Sequence, residues 1–248
     1  MDIEKINGTI RNEGLNVNYS VYNSETSERI VLRVPMNLSA IEFARLCGID
    51  EHSAAYEAVE DALPAINRFG APKAVIRWAN VDSVNGDVTT IEGISFHSKV
   101  VADKLHGIPR VFLSVVTAGE ELDTCDDLED DPFLDIFKGA LLQHGMMYVV
   151  QFMQERFGFD GSSRLNPGSL PDWLIGNNFA LFDMIGGLDE IGVSLNAKGY
   201  IHPWNSASQI QFPGNGYENC SLCKKYDCIR RRASFDHAEY RRVFGIDP

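Results

Sequence analysis

The 248-residue chain lacks a long hydrophobic run. No apolar stretch approaches the roughly 20 residues that a helix needs to cross a bilayer. The first residues, Met1-Asp2-Ile3-Glu4, also lack the basic and apolar regions of a secretory signal. We therefore expect a cytoplasmic protein without a membrane partner.

Positive charge is also scarce in this sequence. The chain carries 22 Lys and Arg against 35 Asp and Glu, a formal net charge of −13. Affinity for nucleic acid comes mainly from Lys and Arg side chains that displace counterions from the phosphate backbone. A nucleic-acid partner is therefore not expected.

Cysteine is sparse, and its count is odd. Two of the five cysteines stand alone, whereas Cys220, Cys223 and Cys228 lie close together in the sequence. This arrangement does not suit a disulfide framework, and in a reducing compartment such a cluster is more typical of a metal site. The spacing Cys-x2-Cys-x4-Cys offers three of the four thiolates that tetrahedral coordination requires.

The identity of the metal stays open at this point. Three cysteines around a [4Fe–4S] cluster would leave one iron accessible to a small molecule, whereas zinc would need a further ligand. The candidates for a fourth ligand are Cys47, Cys125 and His237. The alternative without a metal is that the three cysteines are free thiols in one loop.

Composition and patterning predict a single α+β domain over residues 1–248. Hydrophobic residues make up 44% and charged residues 23%, which is ordinary for a globular protein. Strand and helix patterns are mixed without strict alternation, so we expect a mixed, largely antiparallel sheet flanked by helices. The C-terminal third is rich in loops, and within it lies a basic segment, 214–242, that carries the cysteine cluster.

Local patterns predict several elements of this domain. Ser39 and Glu42 form a capping box that opens a short helix. A helix over 51–63 should end near Pro64 because proline disrupts helical hydrogen bonding. The run Val111–Val116 is apolar throughout, which favours a central strand buried on both faces. The longest helix is expected over roughly 132–157.

One loop-like segment has the chemistry of a ligand site. Its sequence is Arg164-Leu165-Asn166-Pro167-Gly168-Ser169-Leu170-Pro171. A planar guanidinium beside a Pro-Gly turn suits a small carboxylate-bearing ligand, which arginine can hold with two parallel hydrogen bonds. An arginine that bridges loop carbonyls explains the same residues equally well.

The order of these motifs resembles a known family. Arg164-x-x-Pro167-Gly168-x-x-Pro171 is similar to the Arg-Pro-Ala-Pro-Gly-Tyr-Pro segment of the reactivation (S-adenosylmethionine-binding) domain of cobalamin-dependent methionine synthase. The runs Gly192–Leu195 and Ile201–Ser208 resemble a later segment of that domain. The cysteine cluster followed by Arg230 is similar to the tail of stand-alone relatives.

The resemblance implies a stand-alone reactivation factor for a corrinoid methyltransferase system. Such a factor supports the reductive remethylation of oxidised cobalt, with S-adenosylmethionine as the methyl donor. Its partners would be a corrinoid protein and a low-potential electron donor such as ferredoxin or flavodoxin. The resemblance leaves open whether the chain is itself an S-adenosylmethionine-dependent methyltransferase or a reductive activase.

The resemblance also implies roles for individual residues. Arg164 would bind the methionyl carboxylate, and the backbone around Asn166 and Gly168 would hold the adenosyl part. Pro167 and Ser169 belong to the same cofactor-binding segment. His202 would face the cobalt, although a structural histidine fits the same position.

Two positions depart from the family pattern. Ser169 stands where the family has tyrosine, and Ala197 stands where it has glutamate. The alternative is therefore an Fe–S or metal-binding protein that transfers electrons to, or docks on, a corrinoid protein without using S-adenosylmethionine.

Overall fold

The computed structural model describes residues 4–12, 15–23, 28–214, 216–228 and 231–248. Its strands are β1 (Glu4–Asn12), β2 (Leu15–Asn23), β3 (Glu28–Arg33), β4 (Lys73–Asn85), β5 (Val88–Ile91), β6 (Ile94–His97), β7 (Arg110–Thr117), β8 (Ser163–Leu165), β9 (Ser194–Leu195), β10 (Ile201–His202) and β11 (Ser206–Phe212). Its α-helices are α1 (Ala40–Cys47), α2 (Ala55–Phe69), α3 (Lys99–Leu105), α4 (Leu134–Phe157), α5 (Asn177–Ile185) and α6 (His237–Phe244).

The strands form one large antiparallel sheet and one small one. The order across the large sheet is β1-β2-β3-β4-β7-β11-β8, and β5 pairs with both β4 and β6. The pairing of β9 with β10 forms a separate two-stranded sheet. Every strand pair described is antiparallel, which confirms the predicted α+β class.

Helices cover both faces of the large sheet. Side chains of α1, α2 and α4 form one hydrophobic cluster with Phe112 and Val116 of β7. Side chains of α3, α5 and α6 form a second cluster with Val111, Leu113 and Val115 of the same strand. Because successive strand residues point to opposite faces, β7 contributes to both clusters. The prediction of a strand buried on both faces is confirmed.

The capping box at the start of α1 is present. Ser39 Oγ accepts a hydrogen bond from the Glu42 amide at 3.3 Å, and the Glu42 carboxylate accepts one from the Ser39 amide at 2.8 Å. A cap of this kind satisfies amide donors that the first helical turn cannot pair internally. The short-range sequence signal was sufficient here.

The predicted end of α2 is wrong. The helix continues through Pro64 to Phe69, so the proline lies inside it. Ala65 and Ile66, which follow the proline, are buried in the first cluster. Most helical stability in proteins comes from packing of an apolar face, and here that packing outweighs the hydrogen bond that proline removes.

The long helix α4 begins two residues later than predicted, at Leu134, and ends at Phe157 as expected. Within the described ranges, no helix combines the length and apolarity that would let it cross a membrane.

Candidate functional site

Arg164 is the middle residue of the short edge strand β8. It lies opposite Gln211 in the pairing of β8 with β11. On its other side, the Arg164 amide donates to the Tyr217 carbonyl at 2.9 Å, and Arg164 forms an isolated parallel bridge with Glu218. Arg164 is therefore held between β11 and residues 217–218, which lie near the start of the basic segment 214–242; we call that segment the cysteine segment.

The loop that follows Arg164 is held by specific hydrogen bonds. Asn166 Nδ2 donates to the Ser208 carbonyl at 2.8 Å, and the Asn166 carbonyl accepts from Asn219 Nδ2 at 2.8 Å. The Gly168 amide donates to the Trp173 carbonyl at 2.8 Å. These contacts tie the loop both to β11 and to the chain just before Cys220.

Gly168 meets a backbone requirement of this loop. Its φ is +82°, a left-handed conformation that residues with a side chain rarely adopt. A Cβ atom added there would lie 2.7 Å from Ile175 Cδ1. Pro167 is buried, Ser169 is half-buried and Gly168 is exposed, so the glycine forms the open surface of the loop.

The positive charge of the Arg164 guanidinium is only partly balanced by its neighbours. Its side chain is 16% exposed, and Nε lies 2.8 Å from Glu218 Oε1. Arg164 Nη1 also lies 3.9 Å from the sulfur of Met146 on α4. Burial lowers the pKa of Arg164 below its usual value, Glu218 opposes this change, and nearby Arg232 adds to it. The cation would therefore be stabilised by a further anion.

Several buried side-chain amide atoms near Arg164 have no hydrogen-bond partner among the described residues. Gln209 and Gln211 point to one face of β11 and are fully buried, and Gln211 lies opposite Arg164 of β8. Among the described residues, neither polar atom of the Gln209 amide has a hydrogen-bond partner, and Gln211 Nε2 has none either. Asn166 Oδ1 and Asn219 Oδ1 are likewise without partners within that part of the chain. Buried polar groups are normally hydrogen-bonded, so these atoms suit a bound polar ligand or water.

His202 lies at the other end of β11. It ends β10, its side chain is 67% exposed, and its Nε2 lies 3.4 Å from Glu120 Oε1. Arg164 is opposite Gln211, five residues beyond Ser206 at the start of β11, and this separation corresponds to roughly 17 Å along a strand. Arg164 and His202 are thus not brought together. Because β8 runs antiparallel to β11, the Asn166–Gly168 loop leads from Arg164 toward the end where His202 lies.

Large exposed side chains lie on two chain segments near His202, residues 174–179 and 200–204. Trp204 is 69% exposed and Leu174 is 66% exposed. Asn178 Nδ2 donates to the Gly199 carbonyl at 2.9 Å, which brings the chain around Leu174 close to Tyr200. We call the exposed side chains of these two segments the aromatic face. Its members are Leu174, Phe179, Tyr200, His202 and Trp204.

The cysteine segment is organised around an arginine. The Arg231 guanidinium donates to the carbonyls of Cys220 at 2.6 Å, Cys223 at 2.8 Å and Lys225 at 2.8 Å. It also donates to the Ala233 carbonyl at 3.1 Å. The backbone of the loop thus converges on a guanidinium.

The structure does not support the predicted metal site. Cys220, Cys223 and Cys228 are partly exposed free cysteines. Over the described residues, which include all three, no group of three or more His, Cys, Asp or Glu side chains is arranged to hold a metal ion. The described residues therefore lend no support to an Fe–S cluster or zinc at this segment, and the metal site stays a prediction.

Sequence reasoning missed the contribution of Glu218 and Asn219. Both contact the Arg164–Gly168 segment, although they lie more than 50 residues further along the chain. Their position follows from the register of β8 with β11 and with residues 217–218, which no local pattern encodes. Trp204 lies within the run Ile201–Ser208, but its exposure could not be predicted from the sequence.

Taken together, the fold is a helix-covered antiparallel sheet with an arginine loop at one edge. No protein-family profile and no curated protein matches the chain. Among solved structures, the chain is similar to the MetH reactivation domain bound to AdoHcy, with a TM-score of 0.57 and 14% sequence identity. The match covers 88% of this chain and 90% of that chain. At this identity the similarity shows the fold alone, and at that level the resemblance is confirmed.

Proposed function

We propose that this protein is a stand-alone reactivation factor for a corrinoid protein, and that it binds S-adenosylmethionine as the methyl donor. The observation that carries the proposal is the shared fold with a reactivation domain whose structure contains AdoHcy, over 88% of this chain. The loop that resembles that domain's binding segment is well ordered by hydrogen bonds at one edge of the sheet.

Arg164 and its loop provide the ligand contacts in this proposal. The Arg164 guanidinium binds the ligand carboxylate, because the cation is only partly compensated by Glu218. Backbone groups around Asn166 and Gly168 hold the adenosyl part, and Gly168 is exposed at the loop surface. The Gln209 amide and Gln211 Nε2, which have no hydrogen-bond partner among the described residues, offer further polar contacts.

The aromatic face provides the docking surface for the corrinoid protein. Its large apolar side chains would be buried by a partner, and tryptophan is among the residues that contribute most to such interfaces. The loop runs toward this face, so a ligand held at Arg164 would extend toward the docked corrinoid. The residues of this chain would then act by positioning the methyl group.

A reactivation assay tests this proposal. The protein is incubated with a corrinoid methyltransferase module that carries cob(II)alamin, a low-potential reductant and S-adenosylmethionine. We expect the methyl-cobalt absorption spectrum to appear only when all components are present. Trp204→Ala should weaken binding of the module by about tenfold, because it removes a large contact at the interface.

Ile246→Ala is the matched control for Trp204→Ala. Ile246 is 61% exposed but lies beyond α6, which packs with α3 rather than near the aromatic face. Equal losses in the two variants would contradict docking at the aromatic face. Tight docking without methyl transfer would identify a non-catalytic cap, and the absence of both would reject the proposal.

Fe–S or zinc binding by Cys220, Cys223 and Cys228 remains a prediction without structural support. Anaerobic purification followed by iron, zinc and sulfide analysis decides it. Brown protein that loses its colour in Cys223→Ala would establish a cluster and favour the electron-transfer alternative. Colourless protein without stoichiometric metal would reject both forms of this prediction.

A further inference from the structure

Glu218 lies between two arginines. Its Oε1 atom is 2.8 Å from Arg164 Nε, and its Oε2 atom is 2.9 Å from Arg232 Nη2 and 3.0 Å from Arg232 Nε. The Glu218 side chain is only 11% exposed. One carboxylate therefore serves two guanidinium groups, and these three side chains carry a net charge of +1.

The two contacts of Glu218 differ in hydrogen-bond geometry. Arg232 directs two nitrogens at the same oxygen, and its Nε donates a hydrogen bond. Arg164 Nε is within contact distance, yet it is a buried nitrogen without an aligned hydrogen bond among the described residues. Hydrogen-bond strength falls steeply with misalignment, so the contact with Arg164 is the weaker one.

The backbone keeps Glu218 beside Arg164. The hydrogen bond from the Arg164 amide to the Tyr217 carbonyl and the parallel bridge of Arg164 with Glu218 set this register. The bond between Asn219 Nδ2 and the Asn166 carbonyl holds the next residue. A carboxylate of the chain itself is therefore placed against the guanidinium to which a ligand carboxylate would bind.

We propose that Glu218 is an internal competitor for Arg164, displaced when the carboxylate of an adenosyl amino-acid ligand binds. This inference rests on the proposed function, in which Arg164 holds that carboxylate. Arg232 retains Glu218 after displacement, so the exchange leaves no buried carboxylate unpaired. Glu218 thereby lowers affinity for ligands that carry the carboxylate and leaves binding of adenosine thioethers without it unchanged.

Two ligands and one isosteric variant test the proposal. Calorimetry measures the binding of S-adenosylhomocysteine, which has the amino-acid carboxylate, and of 5′-methylthioadenosine, which lacks it. Glu218→Gln should bind S-adenosylhomocysteine about tenfold more tightly, the equivalent of about 1.4 kcal/mol, and methylthioadenosine equally well. An unchanged or weaker affinity for S-adenosylhomocysteine, or the same gain for both ligands, would overturn the inference.

Glu92→Gln is the matched control. Glu92 is also partly buried and lies 2.7 Å from an arginine, Arg77, but it belongs to the turn between β5 and β6. This variant should bind both ligands as the wild type does.

Arg232→Gln should have the opposite effect to Glu218→Gln. It should weaken S-adenosylhomocysteine binding several-fold, because Glu218 then has only Arg164 as its partner.

The outcomes separate this inference from the proposed function. Binding to the wild type with no gain in Glu218→Gln contradicts the competitor role alone. Binding only in Glu218→Gln supports competition in a stronger form. Failure of both proteins to bind S-adenosylhomocysteine rejects the competitor role together with the use of S-adenosylmethionine.

Discussion

Arg164→Gln is expected to weaken the binding of S-adenosylhomocysteine by about 30-fold or more, because removal of one partner of a buried charge pair typically costs 2–5 kcal/mol. Arg164 is 16% exposed and is the cation that we assign to the ligand carboxylate. Calorimetry at equal temperature and salt measures the effect. The affinity of Arg164→Lys for S-adenosylhomocysteine should lie between those of the wild type and Arg164→Gln, since lysine keeps the charge but loses the planar fork of donors.

A control variant and a second ligand make this prediction specific. Arg77→Gln removes an arginine that is 15% exposed and pairs with Glu92, so it disturbs the fold to a similar degree. It should leave ligand affinity unchanged. Methylthioadenosine should bind Arg164→Gln as it binds the wild type. If the binding of both ligands weakens equally, Arg164 supports the loop structurally and does not recognise the carboxylate.

Trp173→Ala is expected to lower the free energy of unfolding by about 3–5 kcal/mol, the usual cost of removing a large aromatic side chain from a core. Trp173 is fully buried, and its ring meets Phe96 edge-on with centroids 6.1 Å apart. Its carbonyl also accepts from the Gly168 amide. Loss of this side chain should therefore weaken ligand binding as well, and urea denaturation measures the stability change.

Trp204→Ala is the matched control for stability. Trp204 is 69% exposed, so the same substitution there should change the free energy of unfolding by less than about 1 kcal/mol. Trp173→Phe should cost less than Trp173→Ala, because it retains a ring in the core. The indole Nε1 has no hydrogen-bond partner among the described residues, so its removal forfeits no bond within that part of the structure. Similar losses of stability in Trp173→Ala and Trp204→Ala would contradict the assignment of Trp173 to the core.

The position of Arg164 depends on segments that are far from it in the sequence. Arg164 is on an edge strand, and its partners come from α4 and from the segment before the cysteines. A strand of three residues has little stability of its own, so β8 depends on β11 and on residues 217–218 for its position. Contacts at the start of the cysteine segment thus help to shape the candidate ligand loop.

The sequence by itself determined the class of fold and several local elements. The apolar run in β7 and the capping box at Ser39 were recognised because burial on both faces and helix capping leave local signals. The Arg164–Gly168 segment was singled out because arginine, proline and glycine have distinctive chemistry within a few residues.

Only the tertiary structure decided what these segments contact. The extension of α2 through Pro64 depends on packing against a distant core, and the pairing of Arg164 with Glu218 depends on strand register. The exposure of Trp204 and the burial of Trp173 likewise depend on which surfaces the remaining chain covers. Such contacts join residues far apart in the chain, and their free energy is set by the assembled fold, so no local pattern could reveal them.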